Sequence, residues 1–271
     1  MNQTAHSSSI SARFAAAAQS YHEESNVQRT VSEKLDASMP TMEEIDSILE
    51  IGCGTGLLTE LLLRRFPRAL IYAVDIARPM IDLARERIGE CGRIRWHAAD
   101  ARQFRPERDF PLIISSSALH WMTPVSETVK RLGGMLEPGG KLVSALMVKG
   151  TLGELHAART RLFPIRTAPL CLPGAEEVLE AIAAAGLKVE RSSGEVLRER
   201  YDSAHAFLRS LNRQGVTGTA NSGCKLLNRT ELRKLTGYYD QKFAAPEGGV
   251  FATYSVLYVT ARRPATAQPA H

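Results

Sequence analysis

A glycine-rich segment is the part of this chain best suited to chemistry. The segment EIGCGTG spans residues 50–56, follows a run rich in Ile and Leu, and precedes a helical pattern that starts at Leu57. A strand, a glycine turn and a helix start, in that order, direct backbone N–H groups at a nucleotide-like ligand. The glycines fall at 52, 54 and 56, whereas dinucleotide-binding loops also require glycine at position 57. The loop therefore fits a cofactor with one nucleoside and no pyrophosphate, of which S-adenosylmethionine (SAM) is the common one.

Two acidic residues follow the next two predicted strands. Asp75 ends the second strand, 19 residues beyond Gly56, where a carboxylate accepts hydrogen bonds from both ribose hydroxyls. The alternative is an ordinary carboxylate at a strand end. Asp100 follows the third strand, and we expect it to accept the adenine amino proton while the N–H of Ala101 donates to a ring nitrogen. The alternative for Asp100 is a loop cap.

Further cofactor contacts are expected beside these acids. Ile76 and Met80 are placed to flank the adenine ring, with plain core packing as the alternative for each. Ser115 ends the fourth strand, next to the expected sulfonium. Ligands of open α/β sheets bind beyond the carboxyl ends of the strands, where all these positions fall. The predicted cofactor residues are Glu50, Gly52, Cys53, Gly54, Gly56, Asp75, Ile76, Met80, Asp100, Ala101 and Ser115.

The elements that position these residues alternate between strand and helix patterns. Such alternation predicts an α/β fold with a mostly parallel sheet that is covered on both faces. Predicted strands lie at 47–52, 70–75, 93–97, 111–116, 141–147, 187–191 and 251–261. Predicted helices lie at 10–22, 57–65, 79–89, 125–136, 151–163, 175–185, 202–214 and 228–243, with another that includes Val27, Val31 and Leu35 and stops near Pro40.

Composition limits the class of protein. The 271 residues have 44% hydrophobic content, and no apolar run approaches the ~20 residues that a membrane-spanning helix needs. Residues 1–12 do not have the pattern of a secretory signal. The four scattered cysteines predict free thiols in a cytoplasmic protein without a metal site. The net charge of +5, from 34 Lys and Arg against 29 Asp and Glu, fits either a basic surface or a patch for an acidic partner. We expect a monomer that binds no nucleic acid and no membrane.

The order of these features resembles the class I SAM-dependent methyltransferases. A strand, GxGxG, Asp75, Asp100 and a Pro-Gly-Gly turn before the fifth strand occur in that family's order over residues 46–147. The resemblance implies a Rossmann-like, seven-stranded, mostly parallel sheet with an antiparallel last strand and inserted lid helices. It implies a single domain over residues 1–263, followed by a disordered tail at 264–271. Its parts would be a helical cap (1–40), the SAM-binding core (46–147), inserted lid helices around strand six (151–245) and the last strand (251–261).

Further segments, most of them outside this core, narrow the family. They are RFAAAAQSY at 13–21, VQR at 27–29, ALHW at 118–121, GTLGEL at 150–155, FLRSL at 207–211 followed by Gly215, and ATY at 252–254. Together they resemble the malonyl-[acyl-carrier-protein] O-methyltransferases of biotin synthesis over nearly the full chain. This resemblance implies methyl esterification of the free carboxylate of a malonyl thioester. A carboxylate is ionised at neutral pH, so it needs no general base to attack the methyl group.

The same resemblance suggests roles for four further residues. Tyr21 would bring its hydroxyl near the reacting groups, with core packing against Phe14 as the alternative. Arg209 would hold the acceptor carboxylate in a bidentate contact, with a solvated helix charge as the alternative. His120 and Trp121 would line the acyl channel, or serve only in packing.

The implied partner is an acidic acyl carrier protein that carries the malonyl group, or malonyl-CoA. Basic residues that could steer such a carrier are Arg159, Arg161, Arg166, Arg213 and Lys225. Two other functions stay open: a SAM-dependent methyltransferase for another small molecule, and a non-catalytic SAM-binding partner protein. A methyltransferase acting on flipped bases would carry an Asn/Asp-Pro-Pro-aromatic motif, where this chain has Ser115 to Ala118.

Overall fold

The computed structural model describes residues 3–42, 45–164, 172–216 and 227–265. Seven strands within these ranges form one sheet. They are β1 (Ser47–Ile51), β2 (Leu70–Asp75), β3 (Ile94–Ala98), β4 (Phe110–Ser116), β5 (Leu136–Met147), β6 (Lys188–Tyr201) and β7 (Val250–Arg262). The helices are α1 (Gln3–Glu24), α2 (Asn26–Ser38), α3 (Leu57–Arg65), α4 (Arg78–Ile88), α5 (Val125–Gly134), α6 (Gly153–Leu162), α7 (Ala175–Ala184), α8 (Ala204–Arg213) and α9 (Arg229–Lys242), with a 3₁₀ turn at Leu119–Trp121.

The sheet order creates a crevice beside the glycine loop. The strands run in the order β3-β2-β1-β4-β5-β7-β6, and β1 pairs in parallel with both β2 and β4. All five residues of β1 are buried, as expected for a central strand that is covered on both faces. The connections reverse direction between β1 and β4, which is where open α/β sheets bind their ligands. The predicted α/β fold with a mostly parallel sheet is confirmed.

The last strand is antiparallel, as predicted, and its outer neighbour is longer than predicted. Strand β7 pairs antiparallel with β5 and with β6. Strand β6 covers 14 residues, whereas the sequence predicted a strand over only 187–191. Its sequence, KVERSSGEVLRERY, is mostly polar because this edge strand exposes much of its surface, so the apolar signal of a strand is weak. Strand β6 pairs with β7 from Lys188 to Tyr201, and this pairing holds β6 in a strand although its sequence gives only a weak strand signal.

The first two helices close one side of the sheet. Helix α1 packs against α4 and α8, and α2 packs against α3, β4 and β5. Val27, Val31 and Leu35 are buried on one face of α2, as their spacing predicted. Helix α1 extends beyond the predicted 10–22 at both ends, because the added residues continue the helix without a proline or glycine. Helix α1 therefore lies at the carboxyl end of β2, where the Ser11 hydroxyl donates to the Ile76 carbonyl at 3.1 Å, and α2 packs on the face of the sheet.

Two of the distant segments that carried the resemblance contact each other. The Thr151 hydroxyl donates to the Ser255 carbonyl at 3.1 Å and accepts from the Ser255 N–H at 3.0 Å. The Glu154 carboxylate accepts from both the N–H and the hydroxyl of Thr253. Segments 150–155 and 252–254 therefore join α6 to β7, which is a structural role.

Some predictions fall outside the described residues, in whole or in part. They concern most of the loop at 215–223, most of the tail at 264–271, and Cys171 and Cys224. Cys53 and Cys91 are free thiols. No helix among the described residues combines the length and the apolar character that crossing a membrane requires.

Candidate active site

A cavity lies at the carboxyl ends of β1 to β4, beneath α1. It has a volume of about 700 Å³, including the part that is open to solvent. It is lined by Ile10, Phe14, Tyr21, Gly52, Gly54, Val74, Asp75, Ile76, Met80, Ala99, Asp100, Ala101, Arg102, Ser116, Ser117, Ala118, Trp121 and Met122. Nine residues that the sequence singled out therefore meet in one place: Tyr21, Gly52, Gly54, Asp75, Ile76, Met80, Asp100, Ala101 and Trp121.

Two glycines of the loop meet different requirements. Gly52 has φ +72°, and a Cβ there would lie 2.2 Å from the Cβ of Ala118. Its N–H donates to the Val74 carbonyl at 2.8 Å, which continues the β1–β2 pairing into the loop. Gly54 has φ +53° and faces open space, so a ligand can approach its backbone closely. The loop thus packs tightly on one side and is open on the other.

Asp75 fixes the loop and keeps capacity for a ligand. Its Oδ2 accepts the Gly54 N–H at 2.9 Å, and its Oδ1 accepts the Ala77 N–H at 2.8 Å. Burial raises the pKa of this carboxyl, while the hydrogen bonds from the backbone oppose that rise. An ionised carboxylate offers about four acceptor sites, so these two bonds leave further lone pairs for hydroxyl donors.

Asp100 is paired with an arginine that the sequence analysis missed. Arg102 donates from Nη2 to Asp100 Oδ2 at 2.8 Å and from Nε to Oδ1 at 3.1 Å, and its N–H also reaches Oδ1 at 2.9 Å. Both side chains are mostly buried, at 14% and 13% exposure. The sequence signal that could have revealed this pair is a basic residue two positions after Asp100. The pair fixes the carboxylate at the cavity wall next to Ala101.

Four predicted cofactor residues, Glu50, Cys53, Gly56 and Ser115, lie behind the cavity wall rather than on it. Glu50 is buried and accepts the Thr59 hydroxyl at 2.7 Å, and burial raises its pKa to about 7. The Ser115 hydroxyl donates to the Ile51 carbonyl at 2.9 Å and so joins β4 to β1. The Cys53 thiol is buried, which raises its pKa. Their direct contact with a cofactor stays a prediction.

The two serines that follow Ser115 do line the cavity. The hydroxyls of Ser116 and Ser32 lie 3.0 Å apart, which connects β4 to α2. Ser117 has φ +56°, an uncommon conformation for a residue with a side chain, and its N–H donates to the Ala145 carbonyl at 2.8 Å. Its hydroxyl oxygen is buried and has no hydrogen-bond partner within the described residues. Ser117 was not among the predicted site residues, because nothing in the sequence distinguishes it from the two serines before it.

Aromatic side chains form the side of the cavity under α1. The Phe14 ring makes edge contacts with Tyr21 and Trp121, with ring centres 6.0 Å and 5.5 Å apart. Burial raises the pKa of Tyr21 to about 12, with a further contribution from nearby Asp75. Tyr21 is therefore a neutral hydroxyl at physiological pH, and it both packs against Phe14 and lines the cavity.

His120 and Arg209 do not line the cavity. The His120 ring is buried, its Nδ1 accepts the Met147 N–H at 3.3 Å, and burial lowers its pKa to about 3. It is a neutral imidazole that joins the 3₁₀ turn to β5. Arg209 lies on α8 with an exposed side chain. Both placements favour the structural or solvated alternative over the substrate role.

The residues proposed for carrier steering are only partly described. Arg213 forms ion pairs with Glu23 at 3.1 Å and Glu24 at 2.8 Å, so it joins α8 to α1. Arg166 and Lys225 lie outside the described residues.

Comparisons with known proteins agree with this geometry. A family model described as a methyltransferase domain matches residues 48–140. The YcgJ protein of Bacillus subtilis has a similar structure, with a TM-score of 0.59 and 14% identity over 87% of this chain and 98% of that one. Geranyl diphosphate C-methyltransferase from Streptomyces coelicolor A3(2) gives a TM-score of 0.51 and 14% identity over 86% and 78% of the two chains. At this identity the likeness establishes the fold.

Sequence relatives carry the comparison further. A malonyl-[acyl-carrier protein] O-methyltransferase of Paenibacillus sp. (strain JDR-2) is 31% identical over 262 residues, which cover 90% of this chain and 94% of that protein. The protein of the same name from Brevibacillus brevis is 30% identical over 93% of this chain and 95% of its own length. The match to the Priestia megaterium protein is 38% identical over 148 residues and spans about half of each chain, 54% of this one and 53% of the relative.

The sheet order, the glycine loop after β1 and the acid that ends β2 define a class I methyltransferase. Within that class, nearly full-length identity of 30–31% decides the group. The chain belongs to the malonyl-[acyl-carrier protein] O-methyltransferase family.

Proposed function

We propose that this protein transfers the methyl group of SAM to the free carboxylate of a malonyl thioester and releases the methyl ester. The observation that carries the proposal is the cavity between the glycine loop and α1, in which Gly54, Asp75 and Asp100 face the aromatic side chains of α1. Family membership supports malonyl-acyl-carrier protein as the acceptor. The product would prime the pimeloyl part of biotin synthesis.

The lining residues fit the proposed cofactor. Asp75 has lone pairs left for the two ribose hydroxyls. Ile76 and Met80 supply apolar surface to the same cavity, which Asp100 also lines. Gly54 has no Cβ, and the space where one would lie is open, so a ligand can approach its backbone. We propose these residues, with Ala101, as the SAM contacts.

SAM supplies a methyl group that a sulfonium centre makes electrophilic. The residues of the chain have to orient the acceptor and keep water away from its carboxylate, because that anion is already ionised and needs no base. Phe14 and Trp121 form an apolar wall that excludes water. Tyr21 presents a neutral hydroxyl beside Asp75, from which it can donate a hydrogen bond that holds the carboxylate in line. This role for Tyr21 is part of the proposal.

The partner is proposed to be an acidic carrier protein. The net charge of +5 favours association with an acidic surface, and the phosphopantetheine arm adds a phosphate. We further propose that the protein acts as a cytoplasmic monomer, without nucleic acid or membrane.

Mass spectrometry tests the function directly. The purified protein is incubated with SAM and malonyl-acyl-carrier protein, with malonyl-CoA in parallel, and the acyl group is examined for a mass gain of one methyl in place of a proton. Acetyl-acyl-carrier protein, which has no free carboxylate, is the matched control acceptor. Methylation of other small acids but of neither malonyl thioester would contradict the proposal. SAM binding without turnover on any acceptor would favour a non-catalytic partner protein.

A further inference from the structure

Helix α1 places a cation beside the cavity, next to its aromatic wall. The Arg13 guanidinium carbon lies 5.7 Å from the ring centre of Trp121, which lines the cavity. Phe14, the next residue along α1, contacts the same indole with ring centres 5.5 Å apart. Trp121 therefore contacts both an apolar ring and a guanidinium, and such cation–π contact also restrains the arginine.

Packing fixes the backbone at Arg13. Gly215 follows α8 with φ +70°, and a Cβ there would lie 2.9 Å from the Arg13 carbonyl oxygen and 3.0 Å from the Ala17 Cβ. The Ser20 hydroxyl donates to the Arg213 carbonyl at 2.7 Å, so α1 and α8 are joined at a second point. Because α1 lies so close to this position, residue 215 must be glycine, which explains the glycine that follows the FLRSL segment.

The charges of the cavity call for a cation of this kind. Asp75 and Asp100 both line it, and the Arg102 guanidinium already makes a bidentate contact with Asp100. Asp100 is thus offset by Arg102, but an acceptor that carries a carboxylate would still enter beside Asp75, which disfavours it unless a positive group is close. Burial lowers the pKa of Arg13, but a guanidinium keeps its charge in proteins. Partial removal from water strengthens its attraction for an anion.

We propose that Arg13, rather than Arg209, binds the carboxylate of the acceptor, with Trp121 supporting the guanidinium. The inference rests on the proposed function, because it names the group that holds that substrate. Methyl transfer turns the carboxylate into a neutral ester, so its charge has already decreased in the transition state. Arg13 therefore stabilises the bound acceptor at least as much as the transition state, which makes it a binding residue whose loss raises KM without lowering kcat.

The test compares Arg13→Gln, Arg13→Lys and Arg198→Gln with the unchanged enzyme in steady-state kinetics on malonyl-acyl-carrier protein, and measures SAM binding by calorimetry. Arg198 is a matched control, because its guanidinium also lies over an aromatic ring, 5.1 Å from the centre of Phe251, but on the exposed side of β6. Because Arg13→Gln removes a charge-assisted pair of hydrogen bonds to the acceptor, we expect it to raise KM about 10- to 100-fold. Its kcat and SAM affinity should stay within about twofold, and Arg198→Gln should leave all three unchanged.

The lysine variant separates charge from shape. Arg13→Lys keeps the charge but loses the planar fork, so its KM should lie between those of the unchanged enzyme and Arg13→Gln. The inference is overturned if Arg13→Gln leaves KM within twofold, or if it weakens SAM binding as much as it raises KM. Absence of malonyl methylation in the unchanged enzyme would instead refute the proposed function, and that result is read before any variant is compared.

Discussion

The substitution Gly52→Ala tests how tightly the glycine loop is packed. An added Cβ would lie 2.2 Å from the Cβ of Ala118, well inside contact distance, in a backbone with φ +72°. The left-handed conformation costs about 1–2 kcal/mol for a residue with a side chain. Forcing the loop away from Ala118 adds about 1–3 kcal/mol, as overpacking of a well-packed site does. We therefore expect Gly52→Ala to reduce the free energy of unfolding by about 2–5 kcal/mol.

A second substitution separates the two costs. Ala118→Gly removes the atom that the new methyl group meets, and the next atom along, the Ala118 Cα, lies at an acceptable 3.7 Å. The double variant should recover the overlap part, about 1–3 kcal/mol relative to the sum of the single variants. Gly54→Ala is the matched control in the same loop, because its Cβ meets nothing within 4 Å. It should cost only about 1–2 kcal/mol of stability, yet its methyl group points into the cavity and should weaken SAM binding.

Urea unfolding of the four variants and the unchanged protein, followed by circular dichroism, measures these free energies, and calorimetry measures SAM affinity. The reasoning would be refuted if Gly52→Ala were no less stable than Gly54→Ala, or if Ala118→Gly restored none of the loss. A SAM affinity for Gly54→Ala equal to that of the unchanged protein would show that the ligand does not approach this glycine.

Three further predictions follow from the site. Tyr21→Phe should lower kcat about 10-fold or more while the SAM dissociation constant changes little, since one hydroxyl donor beside the acceptor is lost; equal losses in both would make Tyr21 a cofactor residue. Asp75→Asn should weaken SAM binding about 10-fold or more in calorimetry, with the acceptor KM unchanged. Burial raises the pKa of Glu50 from its ordinary 4.5 to about 7, so the folded state binds this proton more tightly than the unfolded chain. The stability from Glu50 is therefore full below about pH 4.5 and is lost as the pH rises through about 7, a change of about 3 kcal/mol that Glu50→Gln should remove from the pH dependence of unfolding.

The order of the elements and much of the cavity wall could be predicted from the sequence, because both depend on local chemistry. Buried parallel strands are apolar throughout, and a glycine loop must follow the first of them, so Gly52, Gly54 and Asp75 could be placed from spacing alone. Asp100 was found in the same way. Its partner Arg102 was missed because a short local ion pair leaves no periodic signal.

The parts that depend on packing between distant segments could not be predicted. Strand β6 is ordered by β7 despite its polar sequence. Arg209 was selected because it stands in a family-like segment, but Phe207 and Leu211 of that segment are buried while Arg209 is exposed. The segment supports the fold through its apolar residues, so packing alone explains the sequence resemblance there, and a contact between Arg209 and the acceptor stays a prediction. Arg13 could be selected only from its contact with Trp121 in the structure.

The three consecutive serines after β4 show why position decides function at this site. Ser115 and Ser116 have hydroxyls engaged by Ile51 and Ser32, so each connects β4 to a neighbouring element. Ser117 alone adopts a left-handed backbone and leaves its hydroxyl oxygen without a partner in the described part of the chain. A buried, unsatisfied hydroxyl costs about 1–3 kcal/mol, and such a cost persists where a ligand meets it. Removing the Ser117 hydroxyl should therefore stabilise the free protein, to which neither SAM nor acceptor is bound. Removing the Ser115 hydroxyl should destabilise it, because the hydrogen bond to the Ile51 carbonyl is lost.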